Sequence, residues 1–495
     1  MRLALTLAAL FALAPLAVAG PGPAAVAAGT APTAAAPVPC RIPGIPARDR
    51  VLCGHVDVLE SAASGRTIAV RYVLVRARGR NIAPVFEVVG GPGQSATAYA
   101  PGYAREGNYA RLIGKHDLVF VDQRGTGRSR PLECRALYAN HAHVFAELYP
   151  TAELKACRAR LAALADLDAY GTERAADDFD AVRAALGYDQ IEIEGGSFGA
   201  QFALVYLRRH PAHVRALSLE AIAPPDLKLP LPFSQGAQHA LDELLASCAA
   251  DATCSKAYPD LQSEWERVNA RFARGPQTVT FTDLDGKRKT LRLAREVFAD
   301  RLRQMLYDPY IASAVPAALH AAAGGDDAPL AQLVAFITDA VGGDIAQGMY
   351  MSVTCSEDVP FITPAEQARA ARTGYLGDLR IRAQQRACAL WNVRRAPASF
   401  LAPVRSGVPI LMISGADDPA TPPALGARLL PYLPNARQIV VPNGGHNNGG
   451  PCLERLRVAF LDDPRPRALQ ASCAAKQGRP PFVTDFRAWF ARLRG

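Results

Sequence analysis

Residues 188–211, YDQIEIEGGSFGAQFALVYLRRHP, constrain the fold more than any other stretch of the chain. Ile191 and Ile193 alternate with Glu192 and Glu194, two glycines interrupt, and apolar residues then recur at helical spacing. A strand that reverses this sharply into a helix belongs in a parallel sheet, because the helix has to travel back along the sheet's face. The neighbouring segments agree. APVFEVVGGPG and HDLVFVDQRG are short apolar runs that end in glycine turns. TERAADDFDAVRAALGYDQ reads as a helix that Thr172 caps and Gly187 ends, and VRALSLEAIAPP reads as a further strand. This order predicts an α/β fold, a mainly parallel sheet with helices on both faces.

From residue 226 to 400 strand patterns nearly vanish. GAQHALDELLASCAA and AREVFADRLRQMLY carry helical periodicity, and one hairpin-like piece, QTVTFTDLDGKRKTLRL, has an Asp-Gly turn. Buried-strand patterns return at GVPILMISGADDPATPP and ARQIVVPNGGHNNGG. The chain therefore divides into a core over 39–225 and 401–495, split by a mostly helical cap insertion over 226–400. The first residues, MRLALTLAALFALAPLAVAG, have a basic start, a short apolar run and Ala17-Val18-Ala19, the layout of a signal peptide over 1–19. An Ala/Pro-rich spacer over 20–38 is expected to be disordered. No second apolar run follows, so no stable membrane insertion is expected after leader removal, and the protein is expected to be exported, periplasmic or extracellular.

Export sets the reading of the ten cysteines. They form sequence-local couples, and nearest-neighbour disulfides are the simplest pairing: 40 with 53, 134 with 157, 248 with 254, 355 with 388, 452 with 473. None of the cysteines has zinc-ligand spacing, and the His141 and His143 pair, without a carboxylate partner, is not read as a metal site. The net charge of +9 is spread as scattered arginine with no dense basic block, which argues against nucleic-acid binding. No protein partner is evident in the sequence.

Gly195-Gly196-Ser197-Phe198-Gly199 fits G-x-S-x-G between a strand and a helix, the context that lifts a serine onto a sharp turn. A serine hydroxyl needs a base, and the base needs an orienting acid. His446 lies in a loop after one C-terminal strand and Asp418 in a loop after another, with Asp417 as the rival acid. Taken singly, each is an ordinary turn residue. Taken in the order Ser, Asp, His, at the carboxyl ends of strands, they are the triad order of α/β-hydrolases. An oxyanion hole needs two backbone N–H groups: Phe198 supplies one, and Gly91 is the candidate for the other because Pro92 has none.

The stretches GGPGQSA, VFVDQRGTGRSRP, GGSFG, ISGADDPATPP and GGH resemble the proline iminopeptidase and secreted tripeptidyl aminopeptidase branch of the α/β-hydrolases, over residues 50 to 475. Two departures stand out: Val89 where a histidine usually precedes GGPG, and Phe198 where Trp or Tyr is common. The resemblance implies Ser197 as nucleophile, His446 as base, Asp418 as orienting acid and Gly91 at the oxyanion position, with no metal or organic cofactor. It also implies a peptide substrate with a free N-terminus, so an aminopeptidase needs carboxylates for the α-ammonium; Glu357, Asp358 and Glu220 are the candidates. Glu192 and Glu194 share one face of a strand that should be apolar, and are expected to pair with arginines or to face a polar pocket. Two rivals remain at this level: a carboxylic-ester hydrolase with the same triad, and a non-catalytic secreted binding protein on a hydrolase scaffold.

Overall fold

The computed structural model describes residues 32–493. In chain order its strands are β1 (Thr33–Ala34), β2 (Val38–Pro39), β3 (Val51–Leu59), β4 (Thr67–Val75), β5 (Val85–Val88) and β6 (Leu118–Val121). They continue as β7 (Ile191–Gly196), β8 (Val214–Glu220), β9 (Gln277–Thr282), β10 (Arg288–Leu293), β11 (Ile410–Gly415) and β12 (Ala436–Val441). All but β9 and β10 join one sheet, in the order β1-β3-β4-β6-β5-β7-β8-β11-β12 with β2 also on β3. From β6 to β12 every pairing is parallel, and β3 and β4 form an antiparallel flank. The α/β-hydrolase fold expected from the sequence is the one observed.

The short parallel strands are apolar on both sides because each side packs a helical layer. On one face Phe86, Ile191 and Ile193 meet Phe179, Phe202 and Tyr206 from helices Thr172–Ala185 and Phe198–Arg209. On the other, Val85 and Phe120 meet Tyr103, Leu456 and Phe460 from helices Ala96–Tyr103 and Pro451–Asp462. Thr172 begins its helix rather than capping it, since Gly171 holds the N-cap position and the Thr172 hydroxyl is engaged by Glu357.

The helical block after β8 covers the carboxyl ends of these strands, with β9 and β10 as the hairpin read from the Asp-Gly turn. It is not a single insertion. Val144, Phe145, Leu154 and Leu161, from the stretch between β6 and β7, share its core, and Phe145 stacks on Phe281 at 5.8 Å. The C-terminal helix Phe486–Leu493 joins the same core through Trp489 and Phe490. All ten cysteines pair, as 40–53, 134–157, 248–254, 355–388 and 452–473. The expected leader and residues 20–31 of the spacer lie outside the described residues. The rest of the spacer corrects the expectation of disorder: Thr33–Ala34 and Val38–Pro39 pair antiparallel with β3, whose outer edge offers free backbone groups. Among the described residues no helix is long and apolar enough to cross a membrane.

The DQRGTGR stretch after β6 is a structural lock. Arg124 is buried, binds both oxygens of Asp178 at 2.7 Å, and donates to the Glu60 and Ala169 carbonyls at 2.9 and 2.8 Å. Asp122 accepts from Ser95 and Thr97, which ties this loop to the GGPG loop. Arg124→Ala strands the Asp178 carboxylate in the core, and is expected to cost about 3–5 kcal/mol in denaturant melts.

Candidate active site

Ser197 stands between β7 and helix Phe198–Arg209 at φ 58° and ψ −121°. A side-chain-bearing residue in so sparse a region carries about 1–3 kcal/mol of strain and persists only where its surroundings hold it. Two constraints do so here. The Ser197 N–H donates to the Glu220 carbonyl at 3.0 Å. The helix is also pressed onto the sheet: a Cβ on Gly199 would collide with the Val88 carbonyl, and one on Gly195 would lie 2.7 Å from the Gly199 oxygen. Glycine is needed at both positions for approach rather than for dihedral freedom.

Asp418 follows β11 and is fully buried. Its Oδ1 accepts from the Ala420 and Thr421 N–H groups at 2.8 and 2.9 Å, and its Oδ2 from the Thr421 hydroxyl at 2.7 Å. His446 Nδ1 lies 2.9 Å from both carboxylate oxygens, so the ring donates there and leaves Nε2 to face outward. Burial opposes the Asp418 charge, yet His446 and the Thr421 donors outweigh it and hold the carboxyl below its usual range. The Tyr307 ring packs on His446 with centroids 4.5 Å apart. Asp417, the rival acid, pairs instead with Arg479.

Ser197, His446 and Gly91 line one cleft of about 1550 Å³ between sheet and cap. Among the described residues no hydrogen bond joins the Ser197 hydroxyl to His446, and such pairs commonly tighten only around a substrate. Phe198 heads the helix, where N–H groups lack intrahelical partners, and Gly90 packs its α-carbon against Ser197 beside Gly91. Gly91 lines the cleft from the loop after β5, and Phe198 follows the serine at the helix start.

The three candidate ammonium acids separate. Glu357 and Asp358 do not line the cleft. Glu357 is buried against helix Thr172–Ala185, accepting the Thr172 N–H at 2.6 Å and its hydroxyl at 2.5 Å, and Asp358 accepts the Leu229 N–H at 3.1 Å. Their place beside the Cys355–Cys388 bridge made them look rigid and available; contacts with Thr172 and Leu229 instead bury them. Glu220 does line the cleft, accepting the Asn448 N–H at 2.6 Å and pairing with Arg457.

Glu192 and Glu194 also part company. Glu192 is buried beside Arg215, and His116 Nδ1 lies 3.3 Å away but donates to the Ala83 carbonyl, so His116 supplies charge rather than a hydrogen bond. Glu194 faces the cleft, accepting from Tyr103 at 2.7 Å. Sequence reasoning missed its companions Glu87, Glu106 and Arg457, which line the same wall; the Glu in the apolar run VFEV was the available signal. One group among the described residues, Asp180, His210 and His213, gathers metal-ligand atoms within 4.8 Å of one another. It lies at the far end of the serine's helix, and Arg183 already holds Asp180.

Comparison with known proteins places this geometry. Residues 90–449 match the α/β-hydrolase fold family. The chain is 28% identical over 240 residues to the serine protease Hip1 of Mycobacterium tuberculosis, covering 44% of this chain and 45% of that one. It is 30% identical over 139 residues to a proline iminopeptidase of Neisseria meningitidis, 28% of this chain and 32% of the relative. It is 27% identical over 192 residues to a tripeptidyl aminopeptidase of Streptomyces coelicolor, 35% and 36% respectively. The matched region spans less than half the length of each of these relatives.

Two measurements follow from this geometry. Thr421→Val removes a donor to Asp418 and is expected to lower kcat on a cleaved substrate about tenfold, with KM little changed. Burial pushes the Glu357 carboxyl up from 4.5 to about 7, against the Thr172 bonds that lower it. Because the folded value is the higher one, ionisation favours the unfolded chain: this group's stabilising contribution is intact below the unfolded value and is lost as pH rises through the folded one. Glu357→Gln is therefore expected to remove about 2–3 kcal/mol of stability loss between about pH 5 and about pH 8, read by denaturant melts at each pH.

Proposed function

The chain belongs to the α/β-hydrolase family, and on that premise we propose that it is a serine peptidase that releases short peptides or residues from free N-termini. The observation that most supports this reading is the buried Asp418–His446 pair, which shares a cleft with Ser197 on its strained turn. Ser197 Oγ attacks the scissile carbonyl while His446 Nε2 takes its proton. Asp418, kept ionised by its donors, fixes the imidazole tautomer and stabilises its charged form. The Phe198 and Gly91 N–H groups receive the developing oxyanion. His446 then protonates the leaving amine, and water, activated by the same imidazole, releases the acyl group from Ser197.

The printed activities of the Neisseria and Streptomyces relatives, an iminopeptidase and an aminopeptidase, favour exopeptidase action. The cap over the carboxyl ends of the strands supports it too, since a roofed cleft favours chain ends over folded loops. Of the three acids expected to receive an α-ammonium, we retain Glu220, the one that faces the cleft. A cap built mainly from 226–400, core segments on either side and a removed leader complete the reading of an exported enzyme, to which five disulfides are suited.

The test is turnover of alanine- and proline-ending amino-acid, dipeptide and tripeptide anilides, free or acetylated at the N-terminus, beside p-nitrophenyl esters. Free-amine peptides are expected to react, and Ser197→Ala to lose at least about 10³-fold in kcat. Equal rates after acetylation, or ester turnover without amide turnover, would replace the exopeptidase by an esterase or endopeptidase.

A further inference from the structure

Beneath Ser197, on the face of the sheet opposite its helix, lies a layer of carboxyl groups that the reaction above does not use. Glu87 on β5 stands directly beside Glu194 on β7 in the parallel register. Glu106 and the Tyr99 and Tyr103 hydroxyls close the wall, with Tyr103 bonded to Glu194 at 2.7 Å and Tyr99 to Glu106. Arg457 is the one cation among the described residues that pairs with this set, through Glu220 and, at 3.9 Å, Glu194. Four carboxyl groups, those of Glu87, Glu106, Glu194 and Glu220, thus share one guanidinium.

A second observation concerns Glu87 itself. Glu87 is 9% exposed and lines the cleft, yet its Oε2 has no hydrogen-bond partner. A buried carboxylate oxygen without a partner is costly, and a cationic group reaching it would satisfy it. Burial and the neighbouring Glu194 charge push the Glu87 carboxyl well above its usual range, and a cation beside it would lower it again.

Resting on the serine-peptidase reading, we propose that Glu87, Glu194 and Glu106, with the two tyrosines, form a subsite for the lysine or arginine side chain of the residue whose carbonyl Ser197 attacks. Depth selects a side chain over the substrate's own α-ammonium. Glu194 precedes Ser197 by three residues, so the layer starts roughly 10 Å down the strand from the serine, at about 3.3 Å per residue. The α-ammonium of a single released residue stays next to its carbonyl and does not reach that far. Lysine carries its charge at the end of a four-carbon stem and does. The tyrosine rings give that stem an apolar wall while their hydroxyls stay with the acids.

The test uses pairs that share one α-ammonium and differ only in side-chain charge: Ala-Ala-lysine against Ala-Ala-norleucine p-nitroanilide, and the arginine against the citrulline analogue, each also as a single-residue anilide. On the native enzyme kcat/KM is expected to favour the charged member at least about tenfold. In Glu87→Gln and Glu194→Gln that ratio is expected to fall toward one, with the melting temperature reporting whether each is folded. Glu106→Gln, at the half-buried rim, serves if either is not. Equal rates for charged and neutral members on the native enzyme, or a preference untouched in the folded variants, overturn the subsite. If no anilide turns over, the same side chains on diphenyl phosphonates are compared by the rate of covalent capture of Ser197. Faster capture of the cationic member then upholds the subsite while the peptidase reading falls; no capture overturns both.

Discussion

One close approach of backbone to backbone underlies the rest of the molecule. Where helix Phe198–Arg209 leaves β7, its first turn is pressed so tightly onto β5 that a single methyl on Gly199 would not fit. That contact sets the sharpness of the reversal, and the reversal forces Ser197 to a positive φ, where the Glu220 carbonyl catches its N–H at 3.0 Å. Everything placed around the serine is placed relative to this crossing: the loop after β5 with Gly91, the helix end with Phe198, and the strand neighbour that brings Glu220. The apolar faces of the sheet supply the free energy that keeps the strained residue in place.

Charge is distributed unevenly about that crossing. Away from the cleft several buried charges have a complement, as with Arg124 and Asp178 or Glu192 and Arg215. Asp418 has several donors and stays ionised. The carboxyl layer of Glu87 and Glu194 has too few donors, and burial holds both above the usual range. A wall of carboxyl groups with one guanidinium polarises that side of the cleft.

The sheet was legible because its strands are short, uniformly apolar and ended by glycine, a pattern that depends only on neighbours in sequence. The hairpin in the cap was legible for the same reason, through Asp285-Gly286. Ser197, Asp418 and His446 were picked out because each sits in a loop whose composition marks it. Glu357 and Asp358 were misread because nothing local reveals that Thr172 and Leu229 will close over them. The same blindness hid the contribution of Phe145 and Trp489 to the cap, since two segments far apart in the chain had to be brought to one core. The edge pairing of Thr33–Ala34 was hidden by composition: alanine and proline signal a flexible spacer, but an open strand edge will order almost any backbone.

The cystine bonds have a pattern that matters for motion. The longest joins residues 33 apart, and each lies wholly within one layer: Cys40–Cys53 and Cys452–Cys473 in the core, Cys134–Cys157, Cys248–Cys254 and Cys355–Cys388 in the roof. No staple runs from roof to floor. The bonds therefore brace the two layers separately and leave their relation to packing, to polar contacts such as Glu357 with Thr172, and to the chain crossings. Five covalent braces thus harden each layer without tying one to the other.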